Sequence, residues 1–435
     1  MTDQLAPLPP TRPRRVPRAF TPFRHASYRW LGAALVLTSF GGGVWVVALV
    51  WEVIRIGGSA SALSVVSTAG AVGVLLPALL GGVVADRVPQ KLILLATTTV
   101  ELLGVALVAV LSFADVAQLW HLAAVAFTAG TAMAFYYPAY SAWLPALVPE
   151  EDLLAVNGFE GMVRPTIGQA LGPAVAGAVV GAASSSAAIT VAAVAYLAGL
   201  LVLAMVPLTA VRREIATPDP GADAHPVRAV LADMREGFAY MVRTPWLLAT
   251  LLFASIMVLV MMGPLDVLVP FLIKDRLGGG PGDHAIVMAC FGIGGAIGSL
   301  VTGSLPMPRR YLTWMNLMWG VGCLPFLVIG YATAVWQVAA AAFVIGVLFS
   351  APMVIWGTLL QRRVPPELLG RVASLDFFVS VSLMPISMAI AGPVAELIGL
   401  RATFAIAAIV PGVTAAVAIV AARLPEDERA HPLRD

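Results

Sequence analysis

The chain has 435 residues, of which 60% are hydrophobic and only 11% are charged. About a quarter of the residues in a soluble domain are charged, so this composition excludes a water-soluble fold and indicates a protein embedded in lipid. The formal net charge is only +2, and two cysteines, Cys290 and Cys323, are too few for a disulfide framework.

The N-terminal segment, residues 1–29, is polar and rich in Pro and Arg, and it begins MTDQLAPLPPTRPRRVPRAF. It contains no apolar core followed by small residues, so we expect no signal peptide. We predict a disordered cytoplasmic tail. Its basic residues are interpreted as determinants of membrane orientation rather than as a nucleic-acid-binding arm.

Twelve long apolar segments follow, and the hydrocarbon core of a bilayer requires about 20 apolar residues of helix to cross it. Unpaired backbone groups are not tolerated in lipid, and the alternation typical of a membrane barrel is absent, so each segment is predicted to be a helix. The sequence therefore predicts an all-α polytopic membrane protein with spans at roughly 30–54, 61–84, 91–113, 119–140, 156–182, 187–208, 246–272, 284–304, 311–332, 335–358, 373–395 and 400–422.

A polar linker, residues 209–245, divides the spans into two sets of six, 30–208 and 246–422. Within it Val230, Met234 and Phe238 recur at four-residue spacing, which predicts an amphipathic helix on the membrane surface. Of the 26 Lys and Arg residues, 21 fall in the segments on the side of the N-terminus. The positive-inside rule therefore places both termini, including the tail 423–435, in the cytoplasm.

The two sets of spans are related in sequence. VPEEDLLAVN at 148–157 is similar to VPPELLGRVA at 364–373, and the same offset along the chain separates Trp30 from Trp246. Both copies begin in the cytoplasm, so the repeats are parallel and related by an axis along the membrane normal. This arrangement is typical of transporters in which two halves rock about a central site.

The segment GGVVADRVPQK at 81–91 resembles the signature between the second and third helices of the major facilitator superfamily. Gly82, Asp86, Arg87 and Lys91 occupy the matching positions, whereas Gln90 replaces a usual Arg. YYPAYSAWLPALVP at 136–149 and VPPELLGRV at 364–372 resemble the exporters related to macrolide efflux and enterobactin export permeases. The resemblance implies two pseudo-symmetric six-helix bundles, a bacterial inner-membrane location and no cofactor, and we expect a monomer.

By this resemblance, Gly82, Asp86, Arg87 and Lys91 form a cytoplasmic gate that latches when the transporter opens outward. The matching segment of the second half, TGSLPMPRRYL, keeps Arg309 and Arg310 but contains no acid. The orientation of the chain in the membrane therefore requires only the basic residues. Because orientation does not explain Asp86, this residue requires a mechanistic explanation. The alternative is that the segment is only a charged turn.

GQALGPAVAG at 168–177 resembles the fifth-helix motif of antiporters, with Ala176 in place of one Gly. Gly168, Gly172 and Gly177 would let a neighbouring helix approach closely, and Pro173 would permit a bend. The motif is typical of exporters, although small residues also occur in ordinary helix packing.

Ionisable groups within a span are costly and are candidates for function. Asp266 is the preferred proton-coupling group, because a desolvated carboxyl suits proton uptake and release; snorkelling or a structural pair is the alternative. Glu52 is the second candidate, although an ion pair with Arg55 also explains it. The resembling exporters often carry an acid in the middle of the first span, where this chain has Gly42.

Three further charges are predicted to form an intramembrane network. Glu160 and Arg164 are four residues apart and can pair on one helix face. Asp376 occupies the position that matches Glu160 in the second copy of the repeat, and it would meet Arg164 or Arg87 in one conformation. A static pair is the alternative for Glu160 and Arg164. Glu101 in the third span is interpreted as a structural contact.

In the superfamily, the first, fourth, seventh and tenth helices of the fold line the cavity, and here these helices contribute bulky apolar side chains. A lining of this kind suits a bulky, partly apolar molecule, although each residue can also serve in helix packing. The predicted lining residues are Trp45, Phe135, Tyr136, Met261, Met262 and Trp356.

No nucleotide-binding or hydrolase motif occurs, so we predict that the protein is not an enzyme. The five His residues are scattered, so we predict no bound metal, and we expect no nucleic-acid partner. The expected partners are a small-molecule substrate, protons and the lipid bilayer. We predict an exporter that works by alternating access in exchange for protons. The alternatives are an importer, facilitator or lipid flippase of the same fold and, from another class, a membrane enzyme or sensor without transport.

Overall fold

The computed structural model describes residues 22–78, 84, 88–207, 226–365, 368, 372, 375–376, 378–380 and 382–433. This part of the chain consists of helices and connecting turns and contains no strand. Ten of its helical stretches are long and apolar enough to cross a membrane, and Ala60–Leu75 is a shorter apolar helix. The predicted all-α polytopic fold is therefore confirmed.

Part of the predicted span 61–84 lies outside the described residues. The other helices of the first bundle lie at the predicted spans, but the helix predicted at 119–140 continues to Leu147 and the one predicted at 156–182 begins at Glu150. Ser59 and Ser184 start two of them, because each side-chain oxygen accepts a hydrogen bond from a backbone nitrogen three residues later. The elements are α1 (Ala26–Arg55), α2 (Ala60–Leu75), α3 (Gln90–Phe113), α4 (Leu119–Leu147), α5 (Glu150–Val163), the π-helical segment π1 (Arg164–Leu171), α6 (Gly172–Ala182) and α7 (Ser185–Ala204).

Two spans of the second bundle are interrupted at prolines. Pro264 ends the first α-helix of this bundle and Pro325 begins a new helix, because proline lacks the backbone donor that a continuous helix requires. The elements are α9 (Pro245–Gly263), π2 (Pro264–Leu268), α10 (Val269–Phe271), π3 (Leu272–Arg276), α11 (Pro281–Ser304), α12 (Tyr311–Gly322), α13 (Pro325–Tyr331), α14 (Val335–Arg363), α15 (Met384–Ile398) and α16 (Leu400–Ala421).

Two helices lie outside the bundles in sequence. Helix α8 (Pro226–Arg243) falls in the linker where an amphipathic helix was predicted, and its Phe238 is exposed. The side chains of Val230 and Met234 lie outside the described residues. Helix α17 (Leu424–Ala430) follows the last span, within the predicted C-terminal tail.

Helix ends meet at two opposite faces of the protein. On the face that carries α8 and α17, here called the linker face, Arg363 pairs with Asp427 at 2.5 Å. On the opposite, distal face, Arg55 at the end of α1 pairs with Asp115 at 2.6 Å. Each contact ties a helix end to a segment that is not its neighbour in sequence, α14 to α17 on the linker face and α1 to the end of α3 on the distal face.

The two bundles share a glycine crossing. In the first bundle Gly130 of α4 lies against the carbonyl oxygen of Gly70 in α2, and in the second Gly346 of α14 lies against that of Phe291 in α11. The offset from Gly130 to Gly346 is the offset of the sequence repeat. Only glycine lets two backbones approach this closely, so the pseudo-symmetry extends to helix packing.

Candidate transport site

The two bundles touch near the distal face through α2 and α15. The backbone nitrogen of Gly392 donates a hydrogen bond to Ser64 Oγ at 3.0 Å, and Ser61 Oγ donates one to Glu396 at 2.5 Å. A Cβ at Gly392 would lie 2.7 Å from the Ser61 backbone nitrogen. The absence of a side chain at Gly392 is therefore what allows this contact.

A second contact joins the bundles through α6 and α11. A Cβ at Gly177 would overlap Ala285 and lie 2.8 Å from the carbonyl oxygen of Pro281. Closer to the middle of the helices, a Cβ at Gly292 would lie 2.9 Å from Cβ of Gln169. Gly177 belongs to the predicted antiporter motif, and the structure places it at the boundary between the bundles.

The other motif residues pack within the first bundle, against α1. A Cβ at Gly172 would lie 2.8 Å from Cα of Gly43, and one at Gly43 would overlap the carbonyl of Gly168 and lie 3.0 Å from Pro173. Directly before Gly172 the chain widens into π1. Segments of this kind are frequent at functional sites and mark a place where a helix changes register.

Glu160 and Arg164, predicted to pair, form a loose ion pair across one helical turn. Arg164 Nη2 lies 3.9 Å from Glu160 Oε2, which is beyond hydrogen-bond distance. The Arg164 guanidinium also lies 5.5 Å from the ring centre of Tyr137, and Tyr140 lies beside the Glu160 carboxylate. Among the described residues, Glu160 Oε1 and Arg164 Nη2 have no hydrogen-bond partner, so the two side chains satisfy each other only in part.

Asp376 does not join this pair in the structure. Its two oxygens accept hydrogen bonds from the Trp356 indole N–H at 3.0 Å and from Ser380 Oγ at 3.3 Å. Both partners belong to the second bundle. Among the described residues the three-charge network is therefore divided, with Glu160 and Arg164 in one bundle and Asp376 in the other.

Asp266 lies in the π2 segment, which packs against α15 of its own bundle and against α2 of the other. Its neighbours Leu265, Val267 and Leu268 are buried, and Asp266 itself is half-buried. Within the described ranges no hydrogen bond or ion pair involves its carboxylate. The residue therefore combines an apolar setting, a position at the bundle boundary and an uncompensated acidic group.

Glu52 has a different environment, although it is fully buried. Its carboxylate accepts hydrogen bonds from Arg55 at 2.7 and 2.9 Å and from Ser185 at 2.6 Å. Arg55 in turn reaches Asp115 and Ser112. This network ties α1 to α3 and α7 at the distal face.

Glu101, interpreted from the sequence as a structural contact, is a further acidic residue within a span. It is half-buried in α3, lies near the hydroxyl groups of Tyr136 and Tyr196, and forms no hydrogen bond or ion pair among the described residues. The sequence signal was present, since a carboxylate midway along a span needs either a partner or a function. Its aromatic neighbours on other helices were not predictable from sequence spacing.

The predicted lining residues occupy different environments. Phe135, Tyr136 and Met262 are half-buried, whereas Trp45 is buried in α1. Met261 is buried, and its sulfur lies 3.7 Å from that of Cys323. Trp356 packs against Trp246 and Trp319 with ring centres 6.1 and 6.5 Å away.

Most of the predicted gate lies outside the described residues, namely Gly82, Asp86 and Arg87. Lys91 is described, and its ammonium group donates a hydrogen bond to the carbonyl oxygen of Ala204 at 2.9 Å. Lys91 therefore binds the end of α7. This bond is compatible with a role in fixing the start of α3 on the linker face.

The sequence matches the family described as transmembrane secretion effector over residues 17–433. The chain belongs to this family of the major facilitator superfamily. It is 26% identical over 385 residues to macrolide efflux protein A of Streptococcus pyogenes, covering 86% of this chain and 90% of that protein. It is also 26% identical over 382 residues to multidrug efflux pump Tap of Mycolicibacterium fortuitum, covering 85% and 90%.

Solved structures confirm the superfamily fold. The nucleoside transporter NupG superimposes with a TM-score of 0.69 at 13% identity, covering 90% of this chain and 98% of NupG. A POT family transporter in complex with a thioalcohol-conjugated peptide gives 0.68 at 14% identity, covering 91% and 96%. Its family and its apolar helices together identify the chain as a multi-pass membrane protein.

Proposed function

We propose that this chain exports a bulky, partly apolar small molecule across the bacterial inner membrane in exchange for protons, by alternating access. Support comes from the similarity to macrolide and multidrug efflux proteins and from the antiporter-motif residues. The observation that carries the proposal is the position of this motif, because Gly177 forms part of the contact between bundles. In alternating access the two bundles move relative to each other, so a motif at their boundary can influence which face of the protein opens.

The proposed orientation places the linker face in the cytoplasm, since most Lys and Arg residues fall there. The bundle contacts through Gly392 and Gly177 would then close the outer side of the protein. The observed conformation would correspond to a state that receives substrate from the cytoplasm. Export requires the opposite state, in which these glycine contacts separate.

Within this mechanism we assign proton exchange to Asp266 rather than to Glu52. Burying an ionised carboxylate without a partner is costly, so a group such as Asp266 exchanges its proton when its surroundings change. Glu52 already has Arg55 and Ser185 as partners. Its network favours a structural role at the proposed outer end of α1.

Proteoliposomes test the proposal directly. A screen of dyes, macrolides, tetracyclines and siderophores in an efflux-deficient host first provides a substrate. We expect a proton gradient to drive accumulation of this substrate against its own gradient, and Asp266→Asn to abolish this uphill flux while substrate binding is retained. Asp275→Asn is the matched control, because Asp275 is exposed and pairs with Lys274.

Two results would contradict the proposal. Gradient-driven flux that remains intact in Asp266→Asn would remove this residue from proton exchange. Flux of wild-type protein that only equilibrates the substrate, with no response to the proton gradient, would indicate a facilitator instead.

A further inference from the structure

A basic cavity opens on the linker face, away from the contact between the bundles. Its volume is about 490 Å³, and it lies among the end of α8, the start of α9, the end of α14 and the residues after α17. Arg243, Arg362 and Arg363 contribute three positive charges to its described wall, against the single carboxylate of Asp427. A cavity with this charge attracts an anion.

One wall of the cavity is held in place. Arg363 Nη1 lies 2.5 Å from Asp427 and 3.3 Å from the Tyr311 hydroxyl, and its guanidinium lies 4.8 Å from the ring centre of Trp246. Arg363 is thereby neutralised and oriented. Arg243 and Arg362 are exposed residues of the cavity wall, so they are accessible to an anion that enters it.

A second cavity, which is mostly apolar, shares Arg362 with the basic cavity. It measures about 550 Å³ and is enclosed by the linker-side halves of α11, α12 and α14. Val301, Met318 and Val354 contribute to its lining, and Trp314 stands exposed at its rim. Arg362 is its charged residue among those described, and it also lines the basic cavity.

These two cavities match the two parts of one molecule. A phosphate group would bind to Arg243 and Arg362, while an acyl chain would enter the apolar cavity that Arg362 also lines. We propose that this pair of cavities binds an anionic phospholipid of the phosphatidylglycerol type. Basic pockets beside membrane helices on the cytoplasmic side commonly bind such head groups, and an exposed Trp is typical of the lipid interface.

The observations favour this occupant over a soluble anion. A free phosphate would use only the basic cavity and would leave the apolar one without a role. The apolar cavity falls within the usual volume of a small-molecule site, about 300–1,000 Å³, and Leu305 and Trp314 expose apolar surface beside it. The inference concerns lipid binding and stands apart from the proposed transport function.

Native mass spectrometry of the purified full chain tests the inference. Protein is released from nanodiscs containing equal amounts of phosphatidylglycerol and phosphatidylcholine, and the lipid retained at increasing collision energy is counted. We expect one phosphatidylglycerol to remain, and Arg243→Gln with Arg362→Gln to weaken its binding roughly thirtyfold, on the basis of about 1 kcal/mol for each arginine.

Two further variants separate the parts of the site. Val354→Trp fills the apolar cavity and is expected to weaken phosphatidylglycerol retention while all three arginines remain. Arg423→Gln removes an equal charge from an exposed arginine that lines neither cavity, and we expect no effect. Thermal unfolding of each variant verifies that it is folded.

The inference is overturned by any of three results: unchanged retention in the Arg243/Arg362 double variant, equal loss in Arg423→Gln, or displacement of the lipid by millimolar inorganic phosphate. The first would remove the arginines from the site. The second would show a general effect of surface charge, and the third a site for a free anion.

Discussion

The backbone nitrogen of Gly392 donates a hydrogen bond to Ser64 Oγ over 3.0 Å, and this bond crosses from one six-helix bundle to the other. It is part of a contact in which two helices approach each other through backbone atoms. A contact of this kind is sensitive to a single added methyl group, which makes Gly392 suitable for testing the proposed outer closure.

Gly392→Ala is expected to open the distal face, because the new Cβ would meet backbone atoms of Ser61. Spin labels at Val116 and Leu397, one in each bundle and both exposed, would report a longer distance by pulsed electron paramagnetic resonance. The matched control is Gly181→Ala, where a Cβ would meet no atom within 4 Å. Identical distance distributions in both variants would show that Gly392 does not determine closure.

Gly43→Ala is expected to lower the thermal stability of the protein, since its Cβ would overlap the carbonyl of Gly168 and crowd Pro173. Overpacking of this kind costs about 1–3 kcal/mol. The neighbouring Gly42→Ala is the control, because a Cβ there would lie 3.4 Å from the Tyr196 hydroxyl, an ordinary contact. Equal melting temperatures for the two variants would contradict the close packing of α1 against the antiporter motif.

Glu52→Gln is expected to destabilise the protein while leaving proton-driven transport intact in the folded fraction. Gln cannot form the ion pair with Arg55, and hydrogen bonds to charged groups contribute about 1.5–3 kcal/mol. Melting temperature and flux in proteoliposomes are measured on the same preparation. Loss of gradient-driven flux with unchanged stability would instead support Glu52 as a proton-coupling group.

Glu428→Ala is expected to lower the melting temperature more than Glu428→Gln. The Glu428 carboxylate accepts a hydrogen bond from the Leu312 backbone nitrogen at 3.0 Å and another from the Thr313 hydroxyl, at the start of α12. Loss of a helix cap costs about 1 kcal/mol, and Gln keeps one oxygen acceptor. Equal melting temperatures for the two variants would exclude capping as the contribution of Glu428.

The pH dependence of the stability of wild type and Glu428→Gln provides a second measurement. Burial raises the pKa of Glu428, although its hydrogen bonds act in the opposite direction. A raised pKa means that the folded protein binds this proton more tightly than the unfolded chain. The stability of wild type relative to Glu428→Gln should therefore be greatest below the ordinary Glu pKa of about 4.3 and decrease as the pH rises through the raised pKa.

The length of the apolar segments was sufficient to predict that the chain is helical and where several helices lie. The predicted spans 91–113 and 400–422 agree with Gln90–Phe113 and Leu400–Ala421 to within one residue at each end. Lipid leaves the backbone few alternatives to helix, so a long apolar segment specifies its own secondary structure. The internal sequence repeat predicted the shared packing plan, which the glycine crossings confirm.

The partners of polar side chains were harder to predict. Asp376 was predicted to meet Arg164 or Arg87 in one conformation, and in the observed conformation Trp356 and Ser380 bind it. Glu428 and Leu312 lie far apart in the sequence, and no local pattern indicates that they meet. Such pairings depend on how helices rotate about their axes, and a pattern of apolar residues constrains that rotation only loosely when lipid surrounds the bundle.

The π-helical turns have a consequence for how a side chain can be redirected. A π turn holds one residue more than an α turn, so a helix that contains one has a surplus residue which can be relocated along it. Moving that surplus residue past Asp266 would rotate the carboxylate about 100° around the helix axis, the angle between successive residues of an α-helix. The acid in π2, a segment that contacts both bundles, would then change the direction it faces while both helix ends stay in place.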